Sequence, residues 1–209
     1  MLRLLSSPSE LAETLVASAA WSTEFDFCTP AVDSRLGQSP LWRQLLVDDR
    51  RVHHAYVGVD GVRSEPHALE HLHRLGALRL VPAADGSFRS HIFRFRRGER
   101  VRIVTGSGAL VPDGVMAPLE AATVWEGGEI EPYAGEAERL FARAAGLAHV
   151  PEPEELEKYA SMYFAAAPLR DSLAEIGAPL IRRTAFDGEL IDLEVVDGAR
   201  AALAGPARL

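Results

Sequence analysis

The stretch Phe88–Glu120 reads FRSHIFRFRRGERVRIVTGSGALVPDGVMAPLE. Two apolar-rich runs, Phe88 to Phe95 and Val101 to Thr105, flank a tight turn at Arg97-Gly98-Glu99, the pattern of a strand hairpin. Gly106-Ser107 follows the second run, then a loop containing Gly114, then Leu119-Glu120. From Arg89 to Arg102 there are six arginines and one histidine, His91, against one acid, Glu99. Strand side chains alternate, so Arg89 and His91 share a face while Arg94 and Arg96 point the other way. This positive stripe suits contact with phosphate or nucleic acid, or a solvated hairpin whose arginines pair with acids elsewhere. Aromatic residues are not interleaved on an exposed face, which argues against extended nucleic-acid binding.

Upstream, Ser7 or Ser9 caps an amphipathic helix with Leu11, Leu15 and Ala19 on one face. Glu24 to Pro30 reads as a strand, Ser39 to Leu46 as a helix, and Val52 to Val59 as a strand. A helix opens at Ser64-Glu65-Pro66 and stops at Gly76, and Ala77 to Val81 is the next strand. Ala121 to Trp125 is a further strand. Helical patterns then cover Glu136–Ala145 and Pro153–Ala166, the latter with Leu156, Tyr159, Tyr163 and Phe164 as apolar positions. Thr184 to Val196 reads as a hairpin turning at Asp187-Gly188, and the tail from Ala199 is expected to fray. The alternation predicts an α/β sandwich, a mixed β-sheet flanked by helices. Residues 1–209 are expected to form a single domain, with a core over about 20–130 and a C-terminal helical and hairpin extension over 131–209.

The 209 residues carry a net charge of -8, which argues against a protein coated with positive charge for nucleic acid. Lys158 is the only lysine, so lysine chemistry is excluded from the first 157 residues. One cysteine, Cys28, allows no intrachain disulfide, and no apolar run approaches the roughly 18 residues of a membrane span. Met1-Leu2-Arg3-Leu4-Leu5 resembles the start of a signal peptide, but Glu10 and Glu13 interrupt the apolar stretch. A cytoplasmic protein without a membrane span is expected.

The layout of this stretch resembles the phospholipase D superfamily, in its bacterial nuclease-like and helicase-associated form. In that family a strand carries F-H-x-K, a basic hairpin follows, the next strand ends in G-S-x-N-L-T, and a glutamate comes next. Here the strand, the Arg-Arg-Gly hairpin, Gly106-Ser107 and Glu120 follow that order, and the resemblance covers roughly residues 20–165. It implies a histidine nucleophile that forms a phosphohistidine, a lysine two residues on that holds the phosphate, and a serine and asparagine that bind the same anion. It also implies a homodimer, in which paired motifs supply nucleophile and general acid.

At the motif itself the chain departs from this pattern. Arg89 occupies the nucleophile position, His91 the lysine position and Ala109 the asparagine position, and Arg96 stands where the full motif has aspartate. Arginine stays protonated and cannot attack phosphorus. The direct expectation is a degenerate, catalytically inactive domain. It would bind a phosphate-containing ligand or nucleic acid through Arg89, Gly106, Ser107 and Glu120, or act as an assembly module for a nucleic-acid-processing partner. The alternative is an active phosphodiesterase or nuclease with His91 as its catalytic residue and Arg89 as phosphate clamp. Against it, a two-residue displacement moves the nucleophile by roughly 6–7 Å along the strand. A third reading is an unrelated α/β domain that mimics the layout.

Other signals are weaker. His67-Ala68-Leu69-Glu70-His71 matches the inverted zinc-protease spelling H-x-x-E-H but reads as a solvent-exposed helix. His53 and His54, adjacent on a strand, are expected on opposite faces, so that at most one faces a site. Cys28 reads as a core residue. Gly106-Ser107-Gly108 lacks the third glycine of a dinucleotide fingerprint, and no nucleophile elbow surrounds Ser107. Neither a cofactor nor a metal is expected.

Overall fold

The computed structural model describes residues 1–33, 52–59, 62–82, 88, 90–106, 122–167, 181–186 and 191–195. Nine strands and four helices are assigned there. They are β1 (Leu2–Leu5), α1 (Pro8–Trp21), β2 (Glu24–Thr29), β3 (Val52–Gly58), α2 (Pro66–Arg74), β4 (Leu78–Val81), β5 (Ile92–Arg97), β6 (Arg100–Gly106), β7 (Ala122–Gly128), α3 (Pro132–Leu147), α4 (Pro153–Ala165), β8 (Ile181–Phe186) and β9 (Ile191–Val195). The chain divides into two compact units, Met1–Ser161 and Met162–Leu209. In the second, β8 and β9 pair antiparallel; the expected turn at Asp187-Gly188 and the tail lie outside the described residues, as does the helix expected over Ser39–Leu46.

The first unit is built on a seven-stranded sheet in the order β1-β7-β6-β5-β2-β3-β4. Strands β2, β3 and β4 run parallel, and every other neighbouring pair is antiparallel. This is the mixed sheet that the alternating pattern predicts, with helices on both faces. On one face a ladder of Phe25, Phe27, Phe93 and Phe95 rings, with centroids 5.4–6.3 Å apart, runs across β2 and β5. Leu11, Leu15 and Ala19 of α1 are buried, as are Leu69 and Leu72 of α2. Arg102 reaches from β6 to the Ser18 hydroxyl at 3.2 Å and lies over the Trp21 ring. On the other face Ala134, Ala137, Phe141 and Ala144 of α3 pack with Cys28, Tyr56, Ile92, Ile103 and Trp125.

Local signals explain the helix ends. The Glu10 amide donates to the Ser7 hydroxyl, and Glu10 accepts from the Ser6 amide at 2.8 Å, so both ends of the entry turn are satisfied. Gly76 adopts φ 72° just beyond α2, a left-handed stop that glycine takes without penalty. Gly98, at φ 57°, makes the tight turn between β5 and β6.

Two features differ from the sequence reading. Leu2–Leu5, to which the sequence reading assigns no element, is a strand, pairing Leu2 with Trp125 and Leu5 with Ala122. A four-residue run becomes a strand only because a distant edge accepts it. The strand expected from Phe88 begins at Ile92, and Phe88 instead packs over Gly58.

Candidate functional site

The carboxyl ends of the parallel strands β2 and β3 lie beside the start of β5. Strand direction reverses between β3 and β5 across β2. At Gly58 an added Cβ would come within 3.0 Å of the Pro30 carbonyl and 3.2 Å of Phe88, so the chain entering β5 passes close over the end of β3. The His91 carbonyl accepts from the Gly106 amide at 3.2 Å, which joins the start of β5 to the end of β6. A cavity of ≈ 270 Å³ lined by Leu4, Thr105, Gly106, Ala122 and Thr123 opens beside Gly106. Of the residues singled out from the sequence, His91 and Gly106 are thus brought together. Arg89, Ser107, Ala109 and Glu120 lie outside the described residues.

At the ends of β2 and β3 sits a buried polar network. The Tyr159 hydroxyl of α4 donates to the Ser64 carbonyl at 2.9 Å and accepts from the Ser64 amide at 3.0 Å. The Ser64 hydroxyl in turn reaches the Gly58 carbonyl and the Val32 amide, both at 3.3 Å. The Ser64 hydroxyl therefore ties the segment after β2 to the segment before α2, and Tyr159 holds the Ser64 backbone from α4. Tyr159→Phe should destabilise the domain by about 1–3 kcal/mol, because it leaves the Ser64 amide and carbonyl buried and unsatisfied. A urea-melt midpoint unchanged from wild type would show that the Tyr159 hydroxyl does not stabilise the segment before α2.

A second polar concentration was not apparent in the sequence. It lies on the α3 face of the sheet, opposite the phenylalanine ladder. Asp26, 1% exposed, stands directly across from Arg94 on β5 and beside His54 on β3. Its Oδ2 accepts from Arg94 Nη2 at 2.6 Å and Nε at 3.2 Å, and from Arg96 Nη2 at 3.3 Å. Arg94 also pairs with Glu138 of α3 and lies 4.5 Å from the Phe141 ring centroid. Burial works against the Arg94 charge, but the hydrogen bond and charge of Asp26, with Glu138 behind, hold its pKa above the ordinary value. Arg96 Nε lies 2.8 Å from Glu24, although its N–H is not aimed at an acceptor. Arg100 and Arg102 both pair with Glu126 on β7, and the Arg102 hydrogen bond chiefly holds that carboxyl below its usual range. Four arginines of the stripe are therefore matched to acids on neighbouring strands and α3. The available signal was spacing: Glu24-x-Asp26 and Arg94-x-Arg96 are complementary at period two, as antiparallel neighbours require.

The histidines correct one expectation. His53 and His54 do not face apart. The β2–β3 register shifts between Phe25 and Asp26, and the two rings lie 6.1 Å apart, His54 3.3 Å from Asp26 and His53 3.3 Å from Glu24. One ligand atom from each of Asp26, His53 and His54 lies within 4.8 Å of the others, the one group of three potential metal ligands among the described residues. By contrast, His67 and Glu70 on α2 are exposed, 3.7 Å apart, and belong to no such group. Cys28 is buried, and desolvation, aided by the Asp26 charge, pushes its thiol pKa up to about 12, so it is a core residue rather than a nucleophile.

No protein-family model matches the sequence, and no curated protein matches it significantly. Solved structures do resemble it. NucT from Helicobacter pylori is 8% identical with a TM-score of 0.50, over 71% of this chain and 97% of that one. The phospholipase D family member Nuc from Salmonella typhimurium is 10% identical with a TM-score of 0.50, over 71% and 96%. A phosphatidylserine synthase from Haemophilus influenzae is 13% identical with a TM-score of 0.53, over 81% of this chain and 45% of that one. The seven-stranded mixed sheet flanked by helices is a phospholipase D-like fold.

Proposed function

We propose that the chain is a catalytically inactive phospholipase D-like domain that binds a phosphate-containing ligand, pairs as a homodimer and serves a nucleic-acid-processing partner in the cytoplasm. The observation that carries this reading is the pair at the approach to β5, arginine at 89 and histidine at 91. A guanidinium remains protonated and cannot attack phosphorus, yet it binds phosphate oxygens well. No lysine can replace the missing clamp, because Lys158 stands alone in α4. The junction of His91 with Gly106 supports a remnant anion site, with Arg89, Ser107 and Glu120 completing it. None of the described helices is long and apolar enough to cross a membrane.

A nuclease panel and a bis-phosphodiester reporter test this reading. Wild type should show no turnover above a buffer control, and Arg89→His/His91→Lys/Ala109→Asn should gain turnover. Wild-type hydrolysis that His91→Ala abolishes would overturn the proposal in favour of a His91-centred phosphodiesterase.

A further inference from the structure

We propose that Asp26, His53 and His54 form a binding site for a divalent transition-metal ion of the Zn2+ class. The site is independent of the phosphate reading. It lies on the α3 face, toward the end of β5 away from His91, with Arg94 roughly 10 Å along the strand from that histidine.

The donor set is two imidazoles and one carboxylate, a combination that suits zinc with its fourth position left open. The ligand atoms of the three residues lie within 4.8 Å of one another. A tetrahedral zinc centre with bonds of about 2.0–2.1 Å brings its ligand atoms to roughly 3.3 Å apart. The closure required falls on the two side chains that can supply it, since the His53 and His54 side chains are 51% and 40% exposed and their rings can turn. Asp26 need not move. Arg94 and Arg96 hold its Oδ2, while Oδ1 lies 3.3 Å from His54 Nδ1. A ligating carboxylate fixed through its second oxygen is the usual outer support of a metal site. Glu24 plays a similar part for the other ring, with Oε2 3.3 Å from His53 Nε2.

Local charge is compatible with a cation. Asp26, Glu24 and Glu138 face Arg94 and Arg96, so with both histidines neutral the cluster carries one excess negative charge. The β2–β3 register shift is what allows consecutive strand residues to converge. In regular alternation one ring would lie on the far face. The exposed rings leave the open coordination position accessible to solvent.

The test is Zn2+ titration of tag-free protein by calorimetry and by competition with a chromogenic chelator. Variants are His53→Ala, His54→Ala and, as control, His67→Ala/His71→Ala, which removes the histidines of the H-x-x-E-H helix. One Zn2+ per chain is expected, with affinity at least tenfold weaker in each β3 variant and unchanged in the α2 variant. Co2+ should report the same site by a visible absorption band that both β3 variants lose. Should either alanine variant unfold by circular dichroism, His53→Gln or His54→Gln takes its place. The proposal is overturned if no saturable one-per-chain binding occurs, or if binding survives in the β3 variants and disappears with His67 and His71.

Discussion

Asp26→Ala is expected to lower folding stability by about 3–5 kcal/mol, the range for removing one partner of a buried ion pair. Asp26 is 1% exposed and Arg94 8% exposed, so water cannot readily replace the lost carboxylate. The remaining partner of Arg94, Glu138, is 63% exposed and reaches it from outside the sheet. Most of the cost is the guanidinium left behind, not the attraction that was lost. The double variant Asp26→Ala/Arg94→Met should therefore be more stable than Asp26→Ala alone, although it lacks both members of the pair. Glu138→Gln should change stability by less than about 1 kcal/mol, as solvent-exposed ion pairs do. Chemical denaturation of the four proteins checks the set. A double variant no more stable than Asp26→Ala would show that the cost comes from lost packing and not from a stranded charge.

Phe95→Ala is expected to cost about 3–5 kcal/mol, a large share of the stability of a domain of this size. Phe95 is fully buried, with its ring 5.4 Å from Phe25 and 6.3 Å from Phe93. Alanine would open a cavity in the middle of the ladder, where the flanking rings are held by β2 and β5 and cannot collapse into it. Phe95→Leu keeps most of the volume and should cost less than about 1.5 kcal/mol. The measurement is again the denaturation midpoint. A Phe95→Ala loss below about 1 kcal/mol would mean that the ladder rearranges freely and does not brace β5.

Elements with strong local signals were legible in the sequence. The Ser7 cap with its Leu11-Leu15-Ala19 stripe, the Pro66 helix with its Gly76 stop, and the β5–β6 hairpin with Gly98 at its turn all occur where the pattern predicts them. Each depends on contacts within a few residues, so a short window contains its cause. Strand β1 had no such cause, since its hydrogen-bonding partner is β7, more than a hundred residues away. The phospholipase D-like layout was legible because it is an order of elements, and order is linear information. Of the proposed anion site, the sequence names the residue types, and the structure joins the His91 and Gly106 backbones.

The Asp26 cluster shows where linear reading stops. The sequence by itself determined that lysine chemistry is missing before Lys158, that arginine stands at 89 and histidine at 91, and that the basic hairpin exists. Only the tertiary structure decided what most of those arginines do. Pairing β5 with β2 sets Arg94 opposite Asp26, pairing β6 with β7 sets Arg100 and Arg102 against Glu126, and beside a register shift two adjacent histidines meet the neighbouring carboxylates Glu24 and Asp26. Composition records how many charges a chain carries. Which charges neutralise one another depends on strand neighbours and register, and these are properties of the assembled sheet.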